Sequence, residues 1–181
     1  MKKITTLSLQ SNLLSTARIH FAFVGLFVAT IILSDAWNLI PPSVVLQRWT
    51  LAMLLLASTA GIWYAARATK SQTLLQAYAW ILTVVDLAIA TILVFAQRGM
   101  ASKAVFLYAL PLIVIAVLRS RVAIVTTAIM CLAAYSLAVV RYFVTSPGEG
   151  YKAELYVELF FYGGLFFVIA ALLYSLVSKP K

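Results

Sequence analysis

Long apolar runs alternate with short polar breaks along the whole chain. The runs lie near residues 19–37, 45–66, 74–97, 102–118, 122–144 and 154–177. A helix crossing the hydrocarbon core of a bilayer needs about 20 mainly apolar residues, and all six runs come close to that length. None alternates with period two. The stretch ILTVVDLAIATILVFA is continuously apolar, so it does not read as barrel strands, and helices are the remaining way to satisfy the backbone in lipid. The breaks carry turn chemistry: Asn38, Pro41 and Pro42; Arg67, Lys70, Ser71 and Gln72; Arg98 and Gly99; Arg119, Ser120 and Arg121; and Ser146-Pro147-Gly148. Short links make successive helices antiparallel neighbours. The pattern predicts an all-α integral membrane protein, a six-transmembrane-helix bundle over residues 19–178. Residues 1–18 read as a cytoplasmic N-terminal segment. A frayed tail is favoured there over a short interfacial helix built on Leu7, Leu9, Leu13 and Leu14. Residues 179–181 form a cytoplasmic tail, and no removable signal peptide is expected.

Composition sharpens this reading. Hydrophobic residues make up 64% of the 181 and charged residues only 10%, against about 45–50% and about 25% in soluble domains. The net charge of +9 is spread between apolar runs and forms no single patch, so no nucleic-acid partner is expected; the basic residues read as topology signals. With the N-terminus inside, Lys2, Lys3, Arg18, Arg67, Lys70, Arg119, Arg121, Lys179 and Lys181 face the cytoplasm. Arg48, Arg98, Lys103, Arg141 and Lys152 face outward. Nine against five favours an N-in/C-in arrangement, in a plasma (inner) membrane. Trp37, Trp49, Trp63 and Tyr64 fall near run ends, where amphipathic rings anchor a span.

The polar inventory is small enough to exclude much chemistry. His20 is the only histidine and Cys131 the only cysteine. A bis-histidine haem site, a zinc site built on several histidines and a thiol pair are therefore excluded within one chain. His20 reads as an interfacial residue one turn into the first span, and Cys131 as a small packing residue. No enzyme activity, cofactor or metal is expected.

Four constellations remain. Asp86 lies at the middle of the third run, where an ionisable side chain is costly and a functional candidate by default. Ser58, Thr59, Tyr135 and Tyr162 lie at similar depth as possible hydrogen-bonding partners. Glu154 and Glu158 are four residues apart, on one helix face, and Arg141 lies across a short loop. They are expected to form an ion pair, or the floor of an outward-facing ligand site. Gly25 and Ala29 form a small-xxx-small face for helix packing or docking. Gly163 and Gly164, set among aromatics, mark a close crossing, and Pro111 predicts a kink.

The stretch WILTVVDLAIATILVFAQRGMASKAVFLYALPLIVIAVLRSRVAIVTTAIM resembles the six-helix sensor module of some bacterial histidine kinases, those of type IV pilus systems among them. The shared plan is an Asp in the third helix, a short loop with Gly and Ser, a short fourth span and a tight basic turn. No phosphoacceptor helix or ATP-binding domain is expected. The resemblance implies a sensing or signal-coupling membrane domain rather than a kinase, with Asp86 part of its helix packing. In size, charge and the Gly25–Ala29 face, the chain is also similar to substrate-binding subunits of energy-coupling-factor vitamin transporters. The expectation is a non-enzymatic membrane module, self-associating or joined to a larger membrane partner, with an unidentified small-molecule ligand. Its alternatives are a transporter binding subunit and a stand-alone assembly protein.

Overall fold

The apolar runs fold as helices throughout. The computed structural model describes residues 6–97, 99, 102–146 and 154–178. Its α-helices are α1 (Thr6–Ala36), α2 (Pro42–Ala68), α3 (Gln72–Ala96), α4 (Ala109–Ile115), α5 (Arg121–Thr145) and α6 (Glu154–Ser178). Two 3-10 segments, Lys103–Tyr108 and Ala116–Leu118, flank α4. Among the described residues there is no strand. Helices α1, α2, α3 and α5, together with Tyr156–Val177 of α6, are long and apolar enough to cross a membrane. The protein is therefore an all-helical membrane protein. It divides into two compact units, Met1–Leu82 and Thr83–Lys181.

In the first unit α1 and α2 form an antiparallel hairpin. Its far end packs Ile31 against Val45 and Ala52, with Phe27, Val28, Ile40 and Trp49 around them. The connection is a Schellman turn. Asn38 takes the left-handed conformation, φ 51°, while the amide of Leu39 donates to Ser34 O and that of Asn38 to Asp35 O, each at 2.9 Å. Pro41 then caps α2, with Pro42 at its first position, where the missing N–H costs nothing.

The frayed tail expected for residues 1–18 gives way to helix over 6–18. Leu9, Leu13 and Ala17 are buried on one face, four residues apart. Beside them the Gln10 amide donates to the carbonyls of Ala66 (2.8 Å), Thr69 (3.2 Å) and Arg67 (3.4 Å). These are terminal carbonyls of α2 with no partner inside their own helix. A long-range cap thus orders a segment that looks loose on local evidence. Residues 1–5 and 179–181 lie outside the described residues.

In the second unit the fourth run is short and mixed. Pro111 is the third residue of α4 and is buried, just after the change from 3-10 to α geometry. Arg119 closes the run in a left-handed conformation, φ 50°, its amide donating to Ala116 O at 2.9 Å. Ser120 then caps α5, its hydroxyl accepting from the amide of Ala123 at 3.3 Å. Gly99 also needs positive φ (58°). A Cβ there would lie 3.1 Å from the Tyr142 side chain.

Helices α5 and α6 approach closely at Gly163. A Cβ at this position would sit 2.8 Å from Leu132 Cδ1. Gly164 is exposed, and a Cβ there would meet nothing within 4 Å. Of the adjacent glycines, one makes the contact and the other faces outward.

Candidate functional site

The interior of the second unit is built from aromatic rings that carry hydroxyls. Tyr108, Tyr135 and Phe166 are among its largest fully buried side chains. They come from the 3-10 segment before α4, from α5 and from α6. Tyr108 and Phe166 pack with centroids 5.3 Å apart. Tyr135 meets Tyr108 edge-on at 6.0 Å, Tyr162 at 5.5 Å and Phe166 at 6.2 Å. Edge-to-face contacts of this kind let the positive rim of one ring meet the negative face of the next. On α6 the residues Glu158, Tyr162, Phe166 and Ala170 recur every four positions, so one stripe carries a carboxylate into the aromatic cluster.

The hydroxyls differ in how they are satisfied. Thr91 Oγ1 donates to Leu87 O at 2.6 Å, which uses its only proton. The 3.1 Å contact between Thr91 Oγ1 and Tyr108 Oη is therefore a bond donated by the tyrosine. Cys131 Sγ donates weakly to Tyr108 O at 3.7 Å. Tyr135 Oη and Glu158 Oε2 are also buried, yet neither has a hydrogen-bonding partner among the described residues. One is a donor and the other an acceptor, and Glu158 lies within electrostatic reach of the Tyr135 phenol. A buried polar group left unpaired costs about 1–3 kcal/mol, and a charged one more. Trp63 Nε1 is a third such atom, but its ring lies under the Arg67 guanidinium at 3.5 Å, which is another donor.

The expected outer-face ion pair is not formed by Arg141 and Glu158. Arg141 is exposed, and no ion pair joins the two among the described residues. Arg141 is six residues beyond Tyr135, about 240° around the helix, so it cannot share the face that Tyr135 turns inward. Glu154 is the first residue of α6, but its side chain lies outside the described residues, as do Arg98 and Lys152. Gly25 and Ala29 are exposed on α1, and a Cβ on Gly25 would meet nothing within 4 Å.

Asp86 is 3% exposed on α3, so it turns inward and not toward lipid. Among the partners considered for it, Ser58 Oγ and Thr59 Oγ1 both donate to Leu55 O, at 3.0 and 2.7 Å. The Tyr135 hydroxyl is not its partner.

The residue whose packing sequence reasoning missed is His20. It is 3% exposed and lies near the middle of α1, because that helix starts a dozen residues before the first apolar run. Its Nδ1 lies 2.8 Å from Thr59 Oγ1. Thr59 spends its proton on Leu55 O, so His20 Nδ1 carries the hydrogen and donates. One signal could have found it. Leu9, Leu13, Ala17, His20, Val24 and Ile31 follow one helical stripe, and His20 is its only polar member. Replacing Thr59 by Val removes the acceptor of this buried bond. A loss of about 1–3 kcal/mol is expected in thermal unfolding of the detergent-solubilised protein, while Thr59→Ser, which keeps the oxygen, retains most of the stability.

Comparison with protein families, curated proteins and solved structures finds no match for this chain.

Proposed function

We propose that this chain is a non-enzymatic membrane sensor or signal-coupling module, in which the Tyr135–Glu158 pair governs how α5 packs on α6. The observation that carries the reading is that two buried polar atoms, a phenol oxygen and a carboxylate oxygen, are both without a partner among the described residues. Membrane interiors tolerate such groups where they have a task. What fits the pair is small: a group that accepts from Tyr135 and donates, or brings positive charge, to Glu158. Aromatic walls favour a cation at such a place. A change of occupancy or charge there alters the relative stability of two helix packings, which is how a ligand shifts a population. The lone histidine and lone cysteine offer no paired nucleophile and base, which supports a role in sensing over one in turnover.

The same reading holds six spans with both ends in the cytoplasm of a bacterial plasma membrane. Five helices reach membrane length. The sixth, Lys103–Leu118, has 16 residues, of which Lys103–Tyr108 and Ala116–Leu118 are 3-10. A 3-10 segment rises about 2.0 Å per residue against about 1.5 Å for α. The mixed rod is therefore about 28 Å long, close to the hydrocarbon thickness of about 30 Å.

Cys131 provides the test. It is fully buried and one helical turn before Tyr135, so a maleimide reaches it only when the α5–α6 core opens. In proteoliposomes, Glu158→Gln is expected to change its labelling rate by fivefold or more, the lower end of the roughly 5–150-fold span of typical couplings. Equal rates in the two proteins would remove the pair from control of packing.

A second reading, a small-molecule-binding subunit of a transporter, is favoured by one observation. The Gly25–Ala29 face is open, as a docking face for another membrane protein would be. Copurification of a larger membrane partner distinguishes this reading from a self-associating sensor.

A further inference from the structure

A groove of about 410 Å³ runs between the start of α5 and the end of α6. Its volume is within the roughly 300–1,000 Å³ typical of small-molecule sites. Ile124, Val125, Phe167, Ala170 and Ala171 make the walls, so the body of the groove is apolar. Arg121 and Tyr174 stand at one end, with the guanidinium carbon 6.0 Å from the ring centre. Arg121 is the first residue of α5, and Tyr174 lies about one turn before the end of α6. The charged end therefore coincides with the ends of two membrane-length helices. From Tyr174 to Phe167 is seven residues, about 10 Å of helical rise, and over that distance the lining changes from cation and phenol to hydrocarbon.

We infer that this groove holds one anionic phospholipid, its phosphate on Arg121 and the upper part of an acyl chain against Phe167 and Ala170. The order of groups along the groove matches that of such a lipid. A guanidinium pairs with phosphate in a planar fork, a tyrosine sits at headgroup depth, and apolar side chains continue inward. Charge complementarity selects the anionic lipid. The adjoining turn adds Arg119, which is exposed. On α6 the described carboxylate is Glu158, sixteen residues before Tyr174 and about 24 Å away along the helix, too far to neutralise Arg121. The positive-inside distribution puts this turn on the cytoplasmic side, the leaflet whose anionic lipids attract basic residues. The inference does not depend on the Tyr135–Glu158 pair.

The test uses the full chain in nanodiscs of equal phosphatidylglycerol and phosphatidylcholine, with native mass spectrometry of the lipid retained on release. The wild-type protein is expected to keep one phosphatidylglycerol in preference to phosphatidylcholine. Arg121→Gln should lower that preference about fivefold, the value of one basic side chain near an anionic surface. Ala171→Phe, at an exposed position, should fill the groove and release either lipid, while Cys131 labelling at the wild-type rate shows that the core is intact. Wild-type lipid retention by both variants would overturn the proposal. So would displacement of phosphatidylglycerol by inorganic phosphate alone, which would make the site one for free anions. A dimer that Ala171→Phe dissociates, with no difference in lipid, would assign the groove to a second copy of the chain and equally overturn it.

Discussion

Replacing Tyr135 by Phe, or Glu158 by Leu, is expected to stabilise this protein. Most core substitutions destabilise, because they open a cavity or strand a polar group. Here the stranded groups belong to the natural sequence. Tyr135→Phe removes a buried hydroxyl that has no partner among the described residues and leaves every ring contact in place, so the expected gain is about 1–3 kcal/mol. Glu158→Leu removes a charge-bearing group from a membrane-spanning helix, and the gain should be larger. Thermal unfolding in one detergent, compared across the three proteins, measures both. The same substitutions should change the Cys131 labelling rate from the wild-type value, as Glu158→Gln is expected to. Stability gained as response is lost is the trade-off expected when a strained polar site is kept for function. If both variants are less stable than the wild-type protein, the two atoms have partners in the native membrane and the pair is structural.

The second large effect is expected at Gly163. Helices in lipid gain little from burying apolar surface against each other, so close backbone approach and van der Waals packing hold them together. A single Cβ at Gly163 already falls 2.8 Å from Leu132 Cδ1. That methyl is the end of a flexible side chain, so Gly163→Ala should be tolerated after a small shift. Gly163→Leu adds three more carbons at the same crossing and should separate α5 from α6. The expected cost is at or above the upper end of the about 1–3 kcal/mol seen for overpacked cores. Gly164→Leu is the internal control. That position is open, and the substitution should leave unfolding unchanged. Equal effects at the two glycines would mean that α6 is rotated about its axis relative to the packing described above.

The helical class and most of the helices could be read from the apolar runs, because a backbone in lipid has few alternatives. The start of α1 could not. Residues 6–18 carry Ser8, Gln10, Asn12 and Ser15, which look like a solvated tail. The segment is ordered by the cap that Gln10 places on α2, more than fifty residues away in sequence. The burial of His20 against Thr59 was equally hidden, since it depends on how α1 packs on α2. The short fourth run was visible as a run but not as 3-10, because hydropathy carries no information on helical pitch. At the candidate site, Glu158 stood out from its charge, and Tyr135 and Tyr162 from their depth. Their meeting with Tyr108 and Phe166 depends on the rotation of three helical elements about their axes. Arg141 illustrates the gap. It is near Glu158 across a short loop in sequence, but it is exposed and turns away from the face that Tyr135 presents to the core.

The most direct measurement is a cryo-electron-microscopy map of the full chain in lipid nanodiscs, at a resolution that shows ordered small molecules between side chains. The account predicts density bridging Tyr135 Oη and Glu158 Oε2 within the α5–α6 core, with Arg141 outside it. A map in which the Glu158 carboxylate pairs with Arg141, with nothing beside the Tyr135 hydroxyl, would contradict it.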